Sequence, residues 1–353
     1  PVAIESERRQ PARWLRREFT LTGEVQKAVV HYSALGLGEL WINGRRIGDE
    51  VLWPPLTHYD VRVPYVTRDV TAAVRTGTNA IGVVLGNGRY YAPRLFEPTE
   101  TLSYGWPKLR LRMVVEFTDG RRERIVTDAA WRITTNGPII ANNEYDGEEY
   151  DARRELGAWC TPGFDDRGWI PVQIVGAPAG RMWSAVMAPI RVTESRRPMA
   201  IHRRGDGRWI VDMGQNMVGW CRFRVQGPRG TQVRLRHAER LTPEGELDLA
   251  NIRGAKVTDL YVLRGDGLEE WEPRFTYHGF RYVEVTGWPG ELTAEMIEGR
   301  VVHDDVERVG EWSCSHPLLN RIYTNAVWGI RGNYRSIPTD CPQRDERQGW
   351  LGD

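Results

Sequence analysis

The residues best equipped for chemistry lie in one stretch, Asp340-Cys341-Pro342-Gln343-Arg344-Asp345-Glu346-Arg347-Gln348-Gly349-Trp350-Leu351-Gly352-Asp353. It packs four carboxylates, two arginines and a tryptophan into a turn punctuated by proline and glycine. Carboxylates can do proton work, and an indole face covers the C–H surface of a neutral polar ligand such as a sugar. Acid–base chemistry on carbohydrate is therefore what this segment suits. The competing reading is a solvated cluster of ion pairs, which costs little to keep on a surface.

Other candidate motifs are weaker. His237-Ala238-Glu239 lacks a second histidine one helical turn away and sits among strand residues, so it does not read as a zinc helix. Gly36-Leu37-Gly38 is followed by Trp41 where a dinucleotide loop needs glycine. Cys160, Cys221, Cys314 and Cys341 are scattered with no Cys-x-x-Cys pair, so neither a zinc site nor a disulfide framework is indicated, and Cys341 reads as a small buried side chain. His278 is expected as a hydrogen-bonded histidine at a strand end. Asn87-Gly88-Arg89-Tyr90-Tyr91, with Trp53 and Tyr59, could line a saccharide-binding loop or serve as core and turn. No metal or cofactor is expected.

Charge excludes another class. With 48 Lys and Arg against 47 Asp and Glu, the chain has no field to gather nucleic acid or an anionic membrane surface, so neither partner is expected. Fifteen tryptophans and thirteen tyrosines against seven phenylalanines favour rings with one wet edge. No apolar run is long enough to cross a bilayer, and no charged-then-apolar leader opens the chain. The chain opens on Pro1, and its first methionine is Met113, so it is expected to be a piece of something longer; a cytoplasmic location is expected, with a lost signal peptide left open.

The elements that must position these residues are mostly strands. Short alternating runs bounded by turn signals cover Arg16–Leu21, Ala28–Ser33, Glu39–Ile42, Ala80–Leu85 and Leu109–Phe117. Asn43-Gly44 is a hairpin turn, and Val70–Val74 makes one helical turn at most. A boundary is expected near Pro189. A second β series follows: Trp209–Asp212, Gly219–Val225, Thr231–Ala238, Thr258–Leu263, Glu272–Tyr277 and Arg281–Thr286. The pattern then changes to a helix that aligns Leu318, Leu319, Ile322, Ala326 and Ile330, with Ser315 as N-cap and Pro317 in the first turn.

The chain resembles the bacterial α-L-rhamnosidases of glycoside hydrolase family 78. The likeness rests on the 340–353 stretch and, upstream, on Glu39-Leu40-Trp41-Ile42-Asn43-Gly44, Asn79-Ala80-Ile81-Gly82-Val83, Leu85-Gly86-Asn87-Gly88, Asp212-Met213-Gly214-Gln215-Asn216 and Phe275-Thr276-Tyr277-His278-Gly279-Phe280-Arg281-Tyr282. It implies a mainly β chain of two jelly-roll-like β-sandwich domains: a carbohydrate-binding-like one with a strand-and-loop extension over 1–189, and a second over 190–308. Residues 309–353 would be the first helix and acid loop of an (α/α)6 barrel, cut short.

The resemblance also implies an inverting hydrolase of rhamnose-containing glycosides or polysaccharides, with Glu346 as general acid. Asp340, Arg344, Asp345, Trp350 and Asp353 would hold the sugar, although Asp345 could equally cap the loop. Neighbouring carboxylates and Trp350 would favour the protonated acid that such a step requires. The general base would lie beyond Asp353, so residues 1–353 alone are expected not to hydrolyse glycosides. Two other classes remain open: a non-catalytic carbohydrate-binding β-sandwich protein, and a β-rich interaction protein with no sugar site.

Overall fold

The computed structural model describes residues 8–93 and 103–351. They form two compact units: residues 8–92, 103–142 and 154–186 in the first, and 143–153 and 187–351 in the second. Both are mainly β.

In the first unit, strand Arg13–Leu21 runs between Gly77–Gly86 and Arg132–Thr134, with Leu37–Ile42 on the far side of Gly77–Gly86. A second sheet places Val25–Leu35 between Arg62–Asp69 and Lys108–Phe117. Alternation decides which residues face inward: Leu111, Met113, Val115 and Phe117 are buried, whereas Arg110 and Arg112 are exposed. The expected Asn43-Gly44 hairpin is present, with φ of +48° and +81° and Ile42 paired to Arg45. Asn43 also ties its turn to the next strand, since its Oδ1 accepts from Ala80 N at 2.9 Å and its Nδ2 donates to Asn79 Oδ1 at 2.8 Å. Between Val70 and Val74 the chain makes a single 3-10 turn, Thr71–Ala73.

The second unit is one curled sheet, ordered Gly147–Asp151, Thr258–Val262, Gln232–Ala238, His278–Thr286, Trp209–Gln226, Ile297–Asp304 and Ile190–Arg196. Trp209–Gln226 was expected as two strands and is one of 18 residues. It bends where its register against His278–Thr286 shifts between Asp212 and Met217, and Gly214 there takes φ +74°. Its first half pairs with Ala200–Arg203 and its second with Leu268–Trp271 and Ile297–Asp304. Trp209, Phe223, Trp271, Phe280 and Trp288 fill the core of the curl.

Two sequence expectations fail here for identifiable reasons. Glu272–Tyr277 is a loop after strand Leu268–Trp271: Pro273 has no N–H for a ladder, and Arg274 N and Phe275 N donate instead to the buried Glu148 carboxylate at 3.2 and 3.0 Å. The helix Pro317–Asn333 has His316, not Ser315, at its N-cap position, and no side chain bonds its first turn there. Asn320 closes its entry by accepting from Cys314 N at 2.9 Å and donating to Cys314 O at 2.8 Å.

No residue of this helix is buried. Leu318, Leu319, Ile322 and Ile330 are exposed, and its C-terminal part sits on the sheet through Trp328 and Arg331. Arg331 donates to His303 Nε2 at 3.0 Å and to Glu194 Oε2 at 3.1 Å. That anchorage sets where the following segment begins.

Candidate active site

After Asn333 the chain forms a small hairpin, Tyr334–Arg335 against Ile337–Pro338, turning at Ser336 with φ +66°. Serine holds that left-handed conformation because its N–H meets both carboxylate oxygens of Asp304, at 2.8 and 2.9 Å. The loop that follows is closed at its base. Thr339 bridges Gly349, Asp340 N donates to Gln348 O at 3.1 Å, and Trp350 N donates to Pro338 O at 3.0 Å. Asp340 Oδ1 accepts from Gln348 N at 2.8 Å, so the aspartate shapes the loop as well as facing into it.

Beneath the loop lies a buried cationic cage. Arg335 ion-pairs with Glu144, and Arg347 donates to Glu144 O and to Tyr277 O. Both guanidinium groups stack on the Tyr277 ring, at 4.4 and 4.6 Å from its centroid. Burial pushes the Arg347 guanidinium below its ordinary value. Gly279 leaves room for the loop above it: a Cβ there would stand 2.9 Å from Pro342 Cγ and 3.2 Å from Gln343 Cβ. The likeness of Tyr277-His278-Gly279-Phe280 to the family thus marks a floor on which the loop rests.

Within the loop, Glu346 is half-buried, and its Oε2 meets two arginines: Arg344 Nε at 2.8 Å and Arg253 Nη1 at 2.7 Å. Arg344 also reaches Asp340 Oδ2, at 3.8 Å. Carboxylate oxygens of Asp340 and Glu346 lie within 4.8 Å of one another and of the Cys341 sulfur. The structure therefore brings Asp340, Arg344 and Glu346 together, as the sequence led us to expect, but the nearest charged partners of Glu346 include two cations. Trp350 is exposed, at 57% of its surface. Asp345 is fully buried and accepts from Gly254 N at 3.2 Å, which is an anchoring contact. Asp353 lies outside the described residues.

Among the described residues, two side-chain groups have the composition of a metal site. Burial pushes the Cys341 thiol up to about 11, away from the thiolate that binds metal, and arginines already engage Asp340 and Glu346. His237, Asp259 and His278 are all buried, but the two imidazoles stack at 4.1 Å and 16°, so their in-plane lone pairs run parallel and do not converge on a point. His278 instead shares its Nε2 with both Asp259 oxygens, at 3.1 and 3.0 Å.

Sequence reasoning missed Arg253, Glu144, Arg335 and Arg347. Arg347 stood in the motif without a role, and nothing in the spacing of the other three marks them.

Three family profiles match in succession: the α-L-rhamnosidase N-terminal domain over residues 23–194, the bacterial α-L-rhamnosidase concanavalin-like domain over 202–303, and the bacterial α-L-rhamnosidase 6 hairpin glycosidase domain over 307–353. The chain belongs to the bacterial α-L-rhamnosidase family. An α-L-rhamnosidase of Streptomyces avermitilis is 44% identical over 349 residues, which are 97% of this chain and 33% of that protein. Among solved structures, the α-L-rhamnosidase of Dictyoglumus thermophilum superposes with a TM-score of 0.92 at 45% identity, covering 97% of this chain and 38% of that one. The Streptomyces avermitilis α-L-rhamnosidase complexed with L-rhamnose gives a TM-score of 0.92 at 43% identity, over 98% of this chain and 33% of that one. The chain thus spans 33% to 37% of the length of the curated rhamnosidases it matches.

Proposed function

We propose that this chain carries the general acid and part of the sugar pocket of an α-L-rhamnosidase that hydrolyses terminal α-L-rhamnosides with inversion. The observation that carries this reading is the placement of Glu346. Its carboxyl is held beside Asp340 in a loop closed on itself, and both arginines address one oxygen, Oε2. Oε1 is then the oxygen that carries the transferred proton. Protonating the glycosidic oxygen as its bond to the sugar breaks removes the cost of expelling an alkoxide.

Asp340 and Asp353 accept hydrogen bonds from sugar hydroxyls, Arg344 orients both Asp340 and Glu346, and the exposed Trp350 ring covers the face that carries the 6-methyl group of a deoxy sugar. Asp345 anchors the loop from below. An inverting reaction needs a second carboxylate roughly 6.5–9.5 Å from the acid, leaving room for water. Asp340 is too close to Glu346 for that role, since their oxygens lie within 4.8 Å, so the base is supplied by another residue of the enzyme.

The test is Glu346→Gln in the full-length protein that contains these residues. Hydrolysis of an alkyl α-L-rhamnoside should fall by about 10²–10⁴, while L-rhamnose still binds within a few-fold of the parent, because the amide keeps the shape but cannot deliver the proton. Unchanged turnover would move the acid elsewhere.

A further inference from the structure

Arg253 reaches the acid from a different part of the fold. It lies in the loop between strands Leu247–Asp248 and Thr258–Val262, nearly a hundred residues before the glutamate it touches. That loop is firmly held. Ile252, Ala255 and Val257 are buried, Asn251 Nδ2 donates to Glu239 Oε2 at 2.7 Å, and Lys256 N donates to Asp146 Oδ1 at 3.1 Å. Gly254 N, the next backbone donor after Arg253, meets the buried Asp345 beside Glu346. Arg253 itself adopts φ +53°, a left-handed conformation that costs a non-glycine residue about 1–2 kcal/mol and persists where the surroundings impose it.

Resting on the reading of Glu346 as general acid, we infer that Arg253 is a positioning residue for that acid, supplied by the loop that precedes strand Thr258–Val262. Its Nη1, 2.7 Å from Oε2, acts with Arg344 Nε at 2.8 Å to make Oε2 the accepting oxygen of the carboxyl group. With Oε2 engaged by both arginines, the carboxyl cannot rotate to exchange its oxygens without breaking the charge-assisted hydrogen bond from Arg253 and the ion pair with Arg344. The proton is then kept on Oε1, the oxygen that neither arginine addresses. Arg344 alone, on the same short loop as Glu346, would move with the loop; Arg253 ties the acid to a separate loop whose Ile252, Ala255 and Val257 are buried.

The experiment uses leaving-group dependence in the full-length protein. A 2,4-dinitrophenyl α-L-rhamnoside departs without protonation, whereas a methyl α-L-rhamnoside needs the acid. Arg253→Met removes the donors while keeping the length of the stem. It should lower kcat on the methyl glycoside by about ten- to hundredfold, the worth of one charge-assisted hydrogen bond, with kcat on the dinitrophenyl glycoside within about threefold and KM little changed. Arg253→Lys should recover part of the loss. Glu346→Gln, run alongside, should show the same leaving-group bias, only larger.

Equal losses on both substrates, no loss on either, or a change confined to KM would each overturn the role of Arg253 while leaving the acid in place. Absence of the bias in Glu346→Gln would instead overturn the reading of Glu346, and the inference about Arg253 with it. Thermal unfolding of Arg253→Met and Arg253→Lys separates these outcomes from misfolding; if Arg253→Met fails to fold, the kinetics of Arg253→Lys decide, with the same bias expected at smaller amplitude.

Discussion

Glu144→Gln should be among the most damaging single changes in the second unit. Glu144 is 1% exposed and ion-paired to Arg335, itself 7% exposed; Arg347, at 1%, lies against its backbone carbonyl. The amide substitution preserves volume but leaves two buried guanidinium groups stacked on Tyr277 without their counter-charge. Breaking a buried pair from one side costs about 3–5 kcal/mol, set against a total stability of about 5–15 kcal/mol. In melting temperature that is a fall of about 6–20 °C for a unit of this size. Urea unfolding of the parent, Glu144→Gln, Arg335→Gln and the double variant measures it directly. The double variant should be less unstable than the sum of the singles by about 2 kcal/mol or more, because the second substitution removes an already stranded charge. A single-variant loss below about 1 kcal/mol, or strict additivity, would show that Glu144 is not the counter-charge that holds this cage together.

Two further outcomes follow from the same geometry. Gly279→Val places a side chain where Pro342 and Gln343 already stand within 2.9–3.2 Å of a bare Cβ, so the acid loop must lift; kcat/KM for rhamnoside hydrolysis in the full-length protein should drop at a stability cost of about 1–3 kcal/mol, and a variant as active as the parent would show that the loop has slack. His237 is pushed down to about 3, chiefly by burial and then by the adjacent His278, from an ordinary 6.5. Its folded form is neutral, so its contribution to stability is complete above about pH 6.5 and is lost as pH falls toward about 3; urea midpoints of His237→Gln should depend less steeply on pH across that window than those of the parent, and equal slopes would refute it.

How much of this was legible in the sequence depended on whether a structure is specified locally. The Asn43-Gly44 turn was readable because both residues tolerate positive φ and the flanking runs alternate, which is information held within a few neighbouring positions. Lys108–Phe117 was readable for the same reason. The single strand Trp209–Gln226 was not, because Gly214 and the polar residues around it look like a turn; only the partners on either side keep the chain extended through the bend. Glu272–Tyr277 deceived in the opposite direction. Its aromatic-rich composition suits a strand, but its backbone donors are consumed by Glu148, more than a hundred residues earlier.

The candidate site divides along the same line. Asp340, Arg344 and Glu346 could be nominated together because one short loop carries all three, and the structure places them in mutual contact. What holds them could not. Arg253, Glu144 and Tyr277 reach the loop across long sequence separations, and each sits in a stretch whose composition is ordinary for a turn or a strand end. The difference matters for how the acid works. A loop that carried its own arginine and nothing more would leave the Glu346 carboxyl free to turn as the loop moves, and the motif alone suggests no more than that. Clamping one carboxyl oxygen from a second, buried-in element separates the proton-bearing oxygen from the anchored one. The part of the site that the motif does not contain is therefore the part that would give the transfer its direction.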